Sequence, residues 1–289
     1  HWATTGAPLI LAAPLLAITL NLPFEAFPAL VASVAIGTPG LSLIGAVGVG
    51  GVLMVPVLIY LTALDVHQSM ATALCTFVAT GVVGTYAFHR QGSIDWWATV
   101  PLCIGALLCG YLGAMVNAWV NAELLIVMLA LLILGAGLYT IMSALGLRQA
   151  AFAGRPLAQT LLLLGVGSIA GFSSGLTGTG GPLVAVPLMI MFGFRPLMSI
   201  GAGQVIQIVA ALSGTLGNLR YGRIDLSLVP LIASFQVLGV LLGVKIVHAV
   251  NVALVRQFVA WLCVAVGVGL LANALFGTML RVGAMTPTP

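Results

Sequence analysis

Ser173-Ser174-Gly175-Leu176-Thr177-Gly178-Thr179-Gly180-Gly181-Pro182 interrupts what is otherwise a long apolar run, from Thr160 to Phe172 on one side and from Leu183 to Phe192 on the other. Four glycines and four hydroxyl residues in ten positions do not make a lipid-facing surface. Non-helical backbone survives at membrane depth only where protein buries it or water lines it. Proline is tolerated at a helix start because the N–H it lacks has no intrahelical partner there. Gly180-Gly181-Pro182 therefore reads as a break followed by a new helix N-terminus. Free N–H groups and the positive dipole end at such a terminus suit an anion.

The pattern occurs twice. A shift of 130 residues sets Gly45, Gly48, Gly50 and Gly51 on Gly175, Gly178, Gly180 and Gly181. Without a gap, Arg90, Gly92, Ile94 and Asp95 then fall on Arg220, Gly222, Ile224 and Asp225. Gly84 falls on Gly214, Gly113 on Gly243, Asn121 on Asn251 and Gly137 on Gly267. Nine of the fifteen glycines between Gly37 and Gly146 meet a glycine, where chance gives roughly two, so the chain reads as an internal duplication.

The 289 residues are 61% hydrophobic and only 5% charged, too few charges to cover a water-soluble domain. Apolar runs of about 20 residues recur along the chain, the signature of a polytopic helical membrane protein. Barrel strands are shorter and alternate in polarity. The net charge of +4 is a topology signal, and no basic cluster with interleaved aromatics suggests nucleic acid. Cys75, Cys103, Cys109 and Cys263 all lie inside apolar segments without C-x-x-C spacing and read as small core residues. The chain opens on His1, as a processed or internal start does.

The expected fold class is an all-α polytopic membrane protein. An extra apolar segment occupies 1–25, with Pro8–Leu22 as its core, and has no counterpart in the second half. Repeat 1 spans 26–147, a cytoplasmic linker 148–156, repeat 2 157–277 and a tail 278–289. Each repeat has a glycine-broken pair of short helices followed by three longer ones. Val52–Leu64 is about 20 Å long as a helix against a hydrocarbon core of about 30 Å, so it reads as a half-helix. If the arms form a hairpin, each repeat crosses three times and the copies are inverted. If they make one crossing, the copies are parallel. Lys and Arg divide six to three under either arrangement, with the Arg148–Arg155 linker on the richer, cytoplasmic side. The short arms favour inversion, a recurring transporter device.

All five acids, Glu25, Asp65, Asp95, Glu123 and Asp225, lie at segment ends. Cation pumps keep acids inside the bundle; an interior of glycine N–H groups, hydroxyls and amides suits an anion. Ser69, Thr72, Thr76 and Thr80 share one helix face. Gln204, Gln207, Gly214 and Asn218 line the equivalent helix of the other copy. Helix-to-helix packing is the competing explanation for the threonines, whereas two large amides are costly to bury against lipid. His67, at a helix mouth after Asp65, is a candidate proton carrier. Asp95 and Asp225 read as helix caps. Trp96, Trp97, Trp119 and Trp261 sit near segment ends, where aromatic belts form.

Gly48-Val-Gly50-Gly51 with Pro56 and Gly178-Thr-Gly180-Gly181 with Pro187 resemble the glycine breaks of the sulfite exporter TauE/SafE family. Ser69-Met-Ala-Thr72, Gly201-Ala-Gly203-Gln204 and the repeated Arg-x-Gly-x-Ile-Asp match its pattern too. The resemblance runs from about Ala29 to Phe276. It implies a permease for sulfur-containing anions such as sulfite, sulfoacetate and other organosulfonates, in a bacterial inner membrane, often working outward and driven by the proton gradient.

The expected function is therefore secondary transport of a small sulfur oxyanion by alternating access. Gly48, Gly50, Gly51, Gly178, Thr179, Gly180 and Gly181 are its expected contacts, with Thr72, Thr76, Gln204 and Gln207 adding donors. No cofactor or metal is called for, and the partners are the solute and the bilayer. Two rivals are a non-transporting accessory protein and a transition-metal carrier using Met, Cys and His. An intramembrane enzyme lacks any Ser–His or paired-Asp constellation.

Overall fold

The computed structural model describes residues 54–142 except 63, 155–237 except 223 and 235, and residues 261, 264–272 and 274. Pro8–Leu22, Gly48, Gly50, Gly51, most of the linker and the tail lie outside the described residues. Seven helices are delimited: α1 (Met54–Leu61), α2 (Val66–Arg90), α3 (Trp96–Asn117), α4 (Ala122–Met142), α5 (Pro156–Thr177), α6 (Pro182–Met191) and α7 (Pro196–Tyr221). No strand occurs among the described residues. Five helices, α2 to α5 and α7, are long and apolar enough to cross a membrane. Leu107, Leu108, Leu131, Leu161 and Leu216 are exposed, an outward apolar surface that suits lipid rather than water.

Local chemistry starts and stops these helices. Asp65 accepts the Gln68 N–H at 2.7 Å and Asp95 the Trp97 N–H at 3.0 Å, capping α2 and α3. Asp225 accepts the Ser227 N–H at 3.0 Å in the same way. Asp95 therefore caps a helix as expected, whereas Asp225 holds the turn at residues 226–228 that precedes helical residues 229–234. Trp96, Trp97, Trp119 and Trp261 are exposed.

α5 is full length. Its 22 residues span about 33 Å, so of this glycine-broken pair only α6, with 10 residues and about 15 Å, is short. The helix continues through Thr177, which confines the non-helical backbone to residues 178–181. Gly175, expected within the break, is helical and packs closely instead. A β-carbon there would meet the Gly110 carbonyl; one at Gly167 would meet Leu102, and one at Gly171 would meet Ala106. This small-residue ladder, every fourth position, lets α5 and α3 approach backbone to backbone. Residue numbers rise together along both helices, so they run parallel.

α3 also runs parallel to α7: the Ser213 hydroxyl donates to the Leu107 carbonyl, and Gly217 abuts Ala114. α2 and α7 run in opposite senses. Gly84 lies against Gln204, whereas Gly214 lies against Leu74. With α5 and α7 both parallel to α3, the chain runs up through α5, back down through the break and the short α6, and up again through α7.

α2 and α7 begin 130 residues apart, and α1 and α6 end 130 residues apart. Under the sequence offset Gly84 and Gln204 correspond to Gly214 and Leu74, so each contact has a reciprocal partner. Reciprocal contacts between antiparallel counterparts are those of a two-fold axis perpendicular to the helices. For α2 and α7 this is the antiparallel relation that inverted copies require.

Candidate functional site

The break is built by two left-handed glycines. Gly178 (φ +67°) ends α5, its N–H bonding the Ser174 carbonyl at 2.9 Å, a common helix terminator. A β-carbon on Gly178 would also run into the Met70 backbone. Gly180 (φ +82°) makes the second reversal, and its open side faces the Phe77 ring. Gly181 lies against Ile206 and Ala210. Those two residues are at the middle of α7, so the N-terminus of α6 sits near half height in the bundle.

Residues 178–182 are all buried. No side chain caps α6, and its first internal bonds come from Val184 and Ala185 to the Gly181 carbonyl. The Gly181 and Leu183 N–H groups precede that ladder, and Pro182 has none to offer. The described acids lie outside the interior, at helix ends: Asp65, Asp95, Glu123 and Asp225. The described residues contain no cluster of His, Cys, Asp and Glu able to hold a metal.

The hydroxyl candidates and Gln204 are buried and Gln207 is half-buried, but most of their protons are already committed. Thr76 donates to the Ala73 carbonyl at 2.7 Å and Thr80 to the Phe77 carbonyl at 3.1 Å. Thr177 donates to the Ser173 carbonyl at 2.7 Å, so in its 2.9 Å contact with Thr179 the donor is Thr179. Gln207 gives its amide protons to the Phe77 carbonyl (3.3 Å) and the Thr80 hydroxyl (2.8 Å). Gln204 is buried, with its side-chain oxygen against Gly84. Thr72 accepts the Asp225 N–H at 3.1 Å, which leaves its own proton uncommitted to that bond.

Two serines and an asparagine were not among the expected contacts. Ser69 and Ser174 are fully buried and their hydroxyls have no partner, an unusual state for a buried polar group. Both stand in stretches already singled out, the α2 hydroxyl face and the interrupted run. Asn117, at the end of α3, is 3% exposed. Its Nδ2 donates to the Leu176 carbonyl at 2.6 Å and lies 3.4 Å from Met70 Sδ; its Oδ1 is 3.2 Å from His67 Nδ1. No local sequence signal marks it.

The sulfite exporter TauE/SafE family matches residues 29–270. A probable membrane transporter protein of Bacillus subtilis, YdhB, is 25% identical over 210 residues, 70% of this chain and 84% of that one. A second from the same organism, YunE, is 26% identical over 248 residues, 74% of this chain and 84% of that one. A separate, shorter likeness reaches 54% identity over 48 residues of heme exporter protein B of Paracoccus denitrificans, 17% of this chain and 22% of that protein. No solved structure matches. The family match begins after Pro8–Leu22, the segment without a counterpart in the second half.

Proposed function

The chain belongs to the sulfite exporter TauE/SafE family of membrane transporters, and from that premise we propose that it carries a small sulfur oxyanion across the bacterial inner membrane. Sulfite, sulfoacetate and other organosulfonates are the solutes in view, with export driven by the proton gradient. The observation that carries the reading is the start of α6. It is an uncapped helix N-terminus, buried at half height, in a described interior whose charged groups have withdrawn to the helix ends. N–H groups and the positive helix end there favour a negative charge without a countercharge.

In this reading the solute oxygens meet the N–H groups around Thr179–Leu183. Gly48, Gly50 and Gly51 supply the matching half from the first repeat. Ser69, Thr72 and Ser174 are better placed than Thr76 to donate, because their protons are not bound to their own helix. Thr179, Gln204 and Gln207 remain as the polar wall, and recruiting Thr179 or Gln207 requires exchanging an existing bond. His67 is the proposed proton carrier. The inverted repeats then rock about the α2–α7 contact and open the site to each face in turn.

The test is flux in proteoliposomes loaded with labelled sulfite or sulfoacetate, with and without an imposed proton gradient. Saturable, gradient-dependent efflux is expected. Absence of both flux and binding for every sulfur oxyanion tried overturns the reading.

A further inference from the structure

Asn117 ties three helix ends together beside the break. A carbonyl oxygen only accepts, so the 2.6 Å contact with Leu176 identifies the nitrogen end of the amide. Oδ1 then faces His67, whose Nδ1 carries the proton of that 3.2 Å bond. Leu176 belongs to the last turn of α5, where carbonyls have no donor within their own helix. Two residues later the chain enters the left-handed turn at Gly178, pressed against the Met70 backbone. Met70 is itself in contact with Asn117. One buried amide thus joins the end of α3 to both the end of α5 and the start of α2, the two walls from which the break departs.

The clasp is not repeated. The 130-residue offset puts Leu197 where His67 stands and Val247 where Asn117 stands. Neither side chain can donate or accept. The second break therefore has a brace that its counterpart's sequence does not encode.

We propose that Asn117 is a positioning residue for the second break: it fixes the direction in which the N–H groups of residues 179–181 and 183 point. The proposal rests on the reading that those groups receive the solute. Asn117 does not touch the solute; it acts through the Leu176 carbonyl and the backbone that follows.

The test compares full-length wild-type protein with Asn117→Leu and Asn117→Asp. Leucine removes both ends of the clasp, and aspartate keeps the shape while losing the donor to Leu176. Two quantities are read: KM against maximal rate for sulfite efflux in proteoliposomes, and amide hydrogen exchange by peptide. Both variants are expected to raise KM at least tenfold with the maximal rate within about threefold of wild type. Exchange across residues 178–183 accelerates at least tenfold, while peptides from the middle of α7 keep their wild-type rates. A merely structural role lowers the melting temperature and speeds exchange everywhere without moving KM. Wild-type exchange across 178–183 in both variants overturns the proposal, as does an unchanged KM. If leucine prevents folding, the aspartate variant alone decides. If wild-type protein moves no sulfur anion, the transport reading fails by itself, and the exchange comparison still judges the clasp.

Discussion

Gln207 donates its side-chain amide to the carbonyl oxygen of Phe77, and these two residues are counterparts under the 130-residue offset. A residue that touches its own counterpart marks the axis relating the two. A two-fold axis relating α2 to α7 therefore passes through the middle of their contact. Any rocking of one half against the other turns about this point, or breaks it.

Replacing Gln207 by leucine removes the bonds to Phe77 and to the Thr80 hydroxyl. Each hydrogen bond between membrane helices is worth about 0.6 kcal/mol on average, so a loss of roughly 1 kcal/mol is expected in reversible unfolding from mixed micelles. The balance between inward-open and outward-open forms should shift as well, read as a change in maximal transport rate larger than the change in KM.

The opposed run of α2 and α7 is open to cross-linking. In a background without the native cysteines, Gly81→Cys with Ile208→Cys should form a disulfide on mild oxidation, because the two positions abut. Leu74→Cys with Gln204→Cys should not. Cross-linking of the second pair in preference to the first would mean that the helices are parallel.

Gly178 and Gly180 should respond differently to alanine. Both have positive φ, which costs an L-residue about 1–2 kcal/mol. At Gly178 the methyl group also meets Met70 backbone, whereas at Gly180 it meets the Phe77 ring at 3.4 Å and Pro182 Cδ at 3.7 Å, both ordinary contacts. Gly178→Ala should lose several kcal/mol, or fail to accumulate. Gly180→Ala should fold with a modest drop in melting temperature and weaken sulfite binding at least tenfold. Wild-type affinity in a folded Gly180→Ala variant would count against the anion site.

Helix directions assign the charged ends. Arg90, Arg155 and Arg195, all exposed, fall on one face of the bundle, and Arg220 on the other. Cysteines placed singly at these positions in whole cells should react with an impermeant maleimide from outside only at 220. This follows from the positive-inside rule, which puts the richer face in the cytoplasm.

Much of this was legible because it follows from local rules. The cap role of Asp95 is visible in an acid placed just before an apolar run. The break at Gly178–Gly181 is visible in glycine spacing and Pro182. Its width was overread, because Gly175 has the same composition signal whether it bends the chain or seats α3. The donor state of Thr76, Thr179 and Gln207 was not legible, since it depends on which carbonyl each side chain faces. Asn117 was hidden for another reason. Its partners Met70 and Leu176 are 47 and 59 residues away, and one amide at the end of an apolar segment looks like any interfacial asparagine.

The head-to-foot relation of α2 and α7 has a consequence for how the chain is made. Two apolar helices that occupy the same place under the 130-residue offset have to enter the bilayer from opposite sides within one polypeptide. Their apolar runs do not set the direction, since each is hydrophobic along its length. The instruction lies in the exposed arginines between them, so moving a few of those charges is the change most able to turn one half of the molecule over during synthesis.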